Sequence, residues 1–292
     1  MSTVRLTLKL HRFEILAVVA GAVVVAGAAL AVWSMMAPIA TPARCIEDRF
    51  LDPVPAECLT TERFLQLNEE YAGKVMAAMA VLPFIAGALL GVSLVAREIE
   101  QRTASIAWSL SASRRRWLLA RFGLLAAILG VVLALPAVTA GVLEGVRMPW
   151  IDPGSSFHDY ALRGPVVVAR GLAAFAIAVL AGAVLGRVLP GLIVAAVGCL
   201  VAFNLLAVAM PFGQPIEKLP AQDYGMPDRY DLMTWNGPVE IGGDGTTGTE
   251  AFWGVPGERL REVEAREVGV LGAGVLVLAG LAVAVVDRRR PY

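Results

Sequence analysis

Six stretches of the chain are apolar around the whole circumference of a helix, with only isolated polar interruptions: residues 15–36, 75–96, 117–142, 166–188, 190–210 and 268–286. Each is close to the roughly 20 residues that carry a helix across about 30 Å of hydrocarbon. A helix apolar on every side is buried in protein or in lipid. Hiding six of them in a soluble core would require polar covering faces that the sequence lacks. In lipid the backbone must bond within its own segment, so runs of this length are helices. The pattern predicts an all-α membrane protein with about six transmembrane helices, organised as a single transmembrane domain over 1–292. The first run is too long for the core of a secretory signal peptide and ends at Trp33–Pro38 without a small-residue cleavage pair. It reads as a retained span.

Composition agrees: 57% of residues are hydrophobic and 17% charged, with a mean hydropathy of +0.67, whereas soluble domains are near half apolar and a quarter charged. The formal net charge is zero, so only the placement of charge is informative. Basic residues gather before the first span (Arg5, Lys9, Arg12), after the second (Arg97, Arg102, Arg114, Arg115, Arg116, Arg121), between the fourth and fifth (Arg187) and after the last (Arg288, Arg289, Arg290). With six spans these regions share one side, and the positive-inside rule makes that side the cytoplasm, with both termini on it. The other loops, 37–74, 143–165 and 211–267, mix their charges. Trp33, Trp150 and Trp253 fall near the predicted outer boundaries, and Trp108 and Trp117 near an inner one. Cys45 and Cys58 share the first outer loop, where an oxidising compartment permits a disulfide; two free thiols are the alternative. Cys199 reads as a small apolar side chain.

Within 4–14, Leu6, Leu10 and Phe13 share one helical face and Arg5, Lys9 and Arg12 another, as in a short helix lying in the headgroup layer. His11 belongs to this interfacial stretch. Residues 60–74 read as a helix leading into the second span, with Thr60 or Thr61 as N-cap and Glu62 in the first turn. Gly87/Gly91, Gly141/Gly145 and Gly182/Gly186 have the spacing that lets helices approach closely. Pro83, Pro136 and Pro190 mark kinks or ends. Asn204 lies deep in a span, where an amide bonds to a neighbouring helix. Glu144 and Arg170 sit near outer ends, able to snorkel or pair.

The sequence carries no GxxxxGK[ST], HExxH or GxSxG, and its two histidines, His11 and His158, are far apart. These absences predict no catalytic residue, no metal and no cofactor in this chain. The spans lack the midplane ionisable groups of an ion-coupled carrier, so the driving energy comes from elsewhere. The informative segment is the loop 97–116. After Glu98 and Glu100, residues Thr103, Ile106, Ala107 and Leu110 fall on one face of a short helix suited to a partner's groove, and Arg114, Arg115 and Arg116 follow as an anchor for the anionic inner leaflet. A plain positive-inside loop is the alternative.

This segment resembles the first cytoplasmic loop of the type-2 ATP-binding-cassette exporter permeases, in which an acidic pair, a Gly-Thr, a short apolar helix and a Ser-Arg run follow the second span. Here these elements are Glu98/Glu100, Arg102-Thr103, Ile106–Leu110 and Ser113–Arg116. Arg102 stands where the family often has glycine. The resemblance spans the chain, from an N-terminal elbow helix through a tight fourth-to-fifth turn to a long outer loop before the last span. It is strongest to actinobacterial members with Ala/Val/Gly-rich spans. It implies a plasma-membrane permease whose coupling helix at Thr103–Leu110 docks on a separate ATPase subunit that binds the ATP and Mg. A second permease copy or paralogue would complete the passage, and the second and fifth spans would line it. Membrane lipid is the surrounding partner and nucleic acid is not expected. Apolar walls suit export of an amphipathic or hydrophobic compound, whether drug, peptide or lipid. The competing reading is a non-transporting scaffold, sensor or immunity protein acting through its outer loops, with Tyr224, Tyr230, Trp235 and Trp253 as aromatic anchors of a lid.

Overall fold

The structure, a computed structural model, describes residues 3–39, 45, 58–103, 113–149, 152–209, 213–219, 232–241 and 248–289. Helix α1 (Thr3–Leu10) meets α2 (Arg12–Met36) at His11, where the backbone leaves helical values with φ −104° and ψ 18°. Leu6, Leu8, Leu10 and Phe13 stay exposed, while Thr7 and His11 are buried against the bundle. Helix α3 (Thr61–Gln66), a π-helical turn (Leu67–Ala72) and α4 (Gly73–Glu100) then follow one another without a break. Thr60 occupies the cap position of α3, but its side chain accepts no capping bond. Helices α5 (Arg114–Arg147), α6 (Gly164–Leu185), α7 (Val188–Ala209) and α8 (Leu260–Arg288) complete the bundle. A disulfide joins Cys45 to Cys58, with the Cα atoms 5.3 Å apart.

Among the described residues, six helices are long and apolar enough to cross a membrane. Except for α6, which is enclosed by its neighbours, each leaves large apolar side chains outside: α2 buries Val18, Ala22, Ala26, Ala29 and Val32 but exposes Leu16, Val23 and Val24. Water penalises such a surface and hydrocarbon does not. The protein is a multi-pass, all-α membrane protein.

Element ends differ from the apolar runs where backbone chemistry decides them. The fourth run ends at Leu185 rather than 188, because Gly186 takes a left-handed φ of +65° and its N–H bonds to the Gly182 carbonyl. Val188 therefore opens the next helix, and Pro190 falls in its first turn, where a missing N–H is harmless. Helices α4 and α5 run through Pro83 and Pro136. The loop 211–267 holds an antiparallel sheet in the order β1-β3-β2, built from β1 (Glu217–Lys218), β2 (Leu232–Ile241) and β3 (Gly248–Val255). Its register shifts between Asn236 and Val239, around Gly237-Pro238, since proline cannot donate to a ladder. Residues 260–267 already belong to α8.

The core is organised by close approach of α4 to α6. A Cβ on Gly87 would lie 2.5 Å from the Gly171 carbonyl oxygen, one on Gly91 2.7 Å from Ala178 Cβ, and one on Gly182 2.9 Å from the Val92 oxygen. Gly141 and Gly145 face open space, so that pair packs nothing. Asn204 corrects another expectation: its Nδ2 donates to Leu200 O of its own helix at 2.8 Å, and the side chain is exposed. Hydrocarbon requires only that the amide be satisfied, and the preceding turn does so.

Gly91→Leu should force α4 and α6 apart and destabilise the folded chain by about 1–3 kcal/mol or more. Gly141→Ala should be neutral. Thermal unfolding of both variants in detergent, followed by size exclusion, checks the contrast.

Candidate functional site

The end of the bundle that carries both termini is laced with polar contacts. At its centre, α4 stops in a defined C-cap. Arg102 N–H donates to Ile99 O at 3.1 Å and Thr103 N–H to Glu98 O at 2.9 Å, the paired bonds of a Schellman motif. Arg102 holds φ at +59°, the left-handed conformation that glycine adopts without cost. Thr103 Oγ1 adds a further bond to Glu98 O at 3.3 Å.

Around this cap the charges are engaged within the chain. The Glu98 carboxylate pairs with Arg121, whose side chain is buried and whose guanidinium lies 4.6 Å from the Trp117 ring centroid. The Glu100 carboxylate accepts from Val188 N at 2.9 Å, capping the first turn of α7. Arg97 meets Glu14 at 2.8 Å, and His11 Nδ1 lies 3.3 Å from Ser93 Oγ. Burial lowers the pKa of His11, favouring the neutral ring. Ser113 begins α5 by accepting from Arg116 N at 3.1 Å. Arg114 donates to Arg289 O at 2.6 Å, Arg115 pairs with Asp287, and Arg289 donates to Ala183 O at 2.5 Å. Gly186 is needed there for its left-handed φ of +65°, and the Arg289 guanidinium packs against it.

Between α4 and α7 runs an apolar groove of about 480 Å³, with Val81, Phe84 and Ile85 on one wall and Leu192, Ala196 and Leu200 on the other. Among known proteins, a family model described as ABC-2 membrane transporter related matches residues 14–211. The chain belongs to the ABC-2 membrane-transporter-related family. No curated protein and no solved structure gives a significant match. The family match ends just beyond α7, so the sheet and α8 lie outside it.

Membership makes the chain a permease subunit and focuses attention on the loop after α4. Of the residues expected there to touch an ATPase, Glu98, Glu100 and Thr103 lie at the capped end of α4, where the Glu98 carboxylate turns inward to Arg121 and the exposed Glu100 reaches across to Val188 N. Ile106, Ala107 and Leu110 fall outside the described residues, as does Trp108. Of the three arginines expected to anchor to lipid, Arg114 and Arg115 engage the C-terminal end of α8, and Arg115 and Arg116 are exposed. Trp150, Tyr224 and Tyr230 also lie outside the described residues.

The opposite end of this ABC-2 permease holds a second polar cluster. Glu267, fully buried, accepts from Arg170 at 2.7–2.8 Å and from the Tyr160 hydroxyl at 3.2 Å. Sequence reasoning placed Glu267 in a loop and missed it. Two signals were available: Leu260, Val263, Glu267 and Leu271 share one helical face, and an arginine inside a span needs a carboxylate. Beside it, Glu144 accepts from Arg147 at 2.9 Å and lies 2.5 Å from His158 Nδ1, while Arg147 also meets Asp159 at 2.7 Å and Asn68 at 2.8 Å. Glu144, His158 and Asp159 form the one grouping of metal-type ligands among the described residues. Arg147 supplies a cation to both of its carboxylates. The hydrogen bond that His158 donates to the Glu144 carboxylate raises the pKa of His158, against the opposing effect of burial.

Two predictions follow from these ends. Arg102→Gly should keep the cap and relieve a left-handed strain of about 1 kcal/mol, whereas Arg102→Val should cost about 1–2 kcal/mol; thermal midpoints should rank glycine highest and valine lowest. A raised folded-state pKa means that His158 contributes stability in full below its unfolded value of about 6.5. That contribution is lost as pH rises through the higher folded value. Unfolding followed across this window should show the loss in the wild type and not in His158→Ala.

Proposed function

We propose that this chain is the permease half of an ATP-binding-cassette exporter, driven by a separate ATPase subunit that binds ATP and Mg. The observation that carries the reading is the capped end of α4, at which the segment 104–112 starts from a fixed turn rather than a slack linker. That segment holds Ile106, Ala107 and Leu110 at helical spacing, and with Thr103 they form the docking face. The acidic pair has its partners within the permease, so the docking contact begins at Thr103. The basic end is the cytoplasmic end, with both termini on it, in the plasma membrane. Arg116 reaches the anionic inner leaflet there.

A second copy or a paralogue completes the passage. The groove between the second and fifth spans and the apolar outer face of α7, with Ile193, Val197 and Leu200 exposed, support this arrangement. Such walls have few hydrogen-bonding groups and suit an amphipathic or hydrophobic cargo. ATP binding in the partner would bias two arrangements of the halves.

Replacing Ile106 and Leu110 together with aspartate should leave the permease inserted. Two carboxylates desolvated at an apolar interface should weaken ATPase association by about a hundredfold or more. Co-purification of the ATPase subunit and ATP-driven transport should both disappear; if both persist, the docking face lies elsewhere.

A further inference from the structure

We propose that Glu100 is a positioning residue that passes movement of the capped end of α4 directly to the start of the fifth span. The proposal rests on the docking reading above and adds a second output to it, beyond the movement of the second span itself.

Three observations carry it. First, Glu100 belongs to the last turn of α4, and its Oε2 accepts from Val188 N, the first residue of α7, at 2.9 Å. The first N–H groups of a helix have no acceptor in their own helix, and a carboxylate also complements the positive end of the helix dipole. The bond therefore has a direction: it holds the entry of α7 to the exit of α4. Second, the exit of α4 is stiff. The two Schellman bonds fix the backbone from Glu98 to Thr103, and Arg121 holds the Glu98 carboxylate. A push on residues beyond Thr103 thus moves Glu100 with the turn instead of being absorbed before it. Third, the remaining contact between α4 and α7 in this region is apolar, with Val188, Leu192 and Ala195 against Ala88, Val92 and Ala96. Apolar contact is non-directional, whereas a hydrogen bond fixes a distance and a direction. The two-residue turn from Gly186 to Arg187 borders the other side of α7's entry, beside the Arg289 and Ile99 side chains.

The test follows amide hydrogen exchange at residues 187–191 in the full chain in lipid nanodiscs, alone and in complex with the co-purified ATPase subunit. In the chain alone, Glu100→Ala should speed exchange there roughly fivefold, and Glu100→Asp should restore part of the protection. In the complex, the ATPase subunit should remain bound to Glu100→Ala. ATP should change exchange at both 98–103 and 187–191 in the wild type, and only at 98–103 in the variant. A purely structural cap would leave the ATP response at 187–191 intact, and that result overturns the proposal. Loss of the ATPase from Glu100→Ala also overturns it, because Glu100 would then face the partner while the docking reading stands. A wild-type chain that brings down no ATPase fails the docking reading first, and this proposal with it.

Discussion

Hydrocarbon neither donates nor accepts hydrogen bonds, and the placement of polar groups in this permease follows from that. The lipid-exposed surfaces of the long helices are dominated by aliphatic side chains. Ionised groups collect at the two ends, where they meet one another: Glu14, Arg97, Glu98, Arg121, Arg115 and Asp287 at one end, and Glu144, Arg147, Asp159, Arg170 and Glu267 at the other. Between the belts, cohesion falls to van der Waals contact, because lipid tails are as apolar as leucine and give no hydrophobic drive for helix association. Glycine at 87, 91, 171 and 182 supplies that contact by letting α4 and α6 approach at backbone distance.

The division of labour has a mechanical meaning. Side chains gripping across the glycine seam make α4 and α6 a single block. The fourth and last spans are tied twice, by Arg170–Glu267 at one end and by Arg289 to Ala183 at the other. Helix α7 is exposed along much of its length, as α8 is, but beyond the bond at Val188 its neighbours touch it through an apolar strip. In a bundle otherwise bolted at both ends, it has the most freedom to shift or to meet another subunit.

How much of this was legible in the sequence depends on range. The six spans were plain because each is a local run of apolar residues. Where the runs ended was less plain: the fourth and fifth runs are nearly continuous, and only the left-handed Gly186 divides them. The sheet was hidden because its main pair, β2 with β3, lacks a clean alternation: Gly237-Pro238 interrupts β2 and glycines flank the segment between them. Glu267 was hidden by a boundary, since a carboxylate beside an apolar run looks solvated until Arg170 is placed opposite it. For the acidic pair, composition revealed that Glu98 and Glu100 mattered but not which way they faced, because Arg121 and Val188 N reach them only through the fold. Arg102 was conspicuous as a departure from the family's glycine, and its positive φ explains why glycine is common there.

The contacts of Arg114 and Arg115 with α8 carry a consequence for biogenesis. Topology is set by unneutralised cations while the chain is being threaded into the bilayer. At that stage the last helix has not been synthesised, and these two arginines stand bare, able to retain their side of the membrane. Once α8 arrives, Asp287 and the carbonyl of Arg289 claim them. The same two arginines thus stand as free charges in the nascent chain and become partners of α8 in the finished bundle.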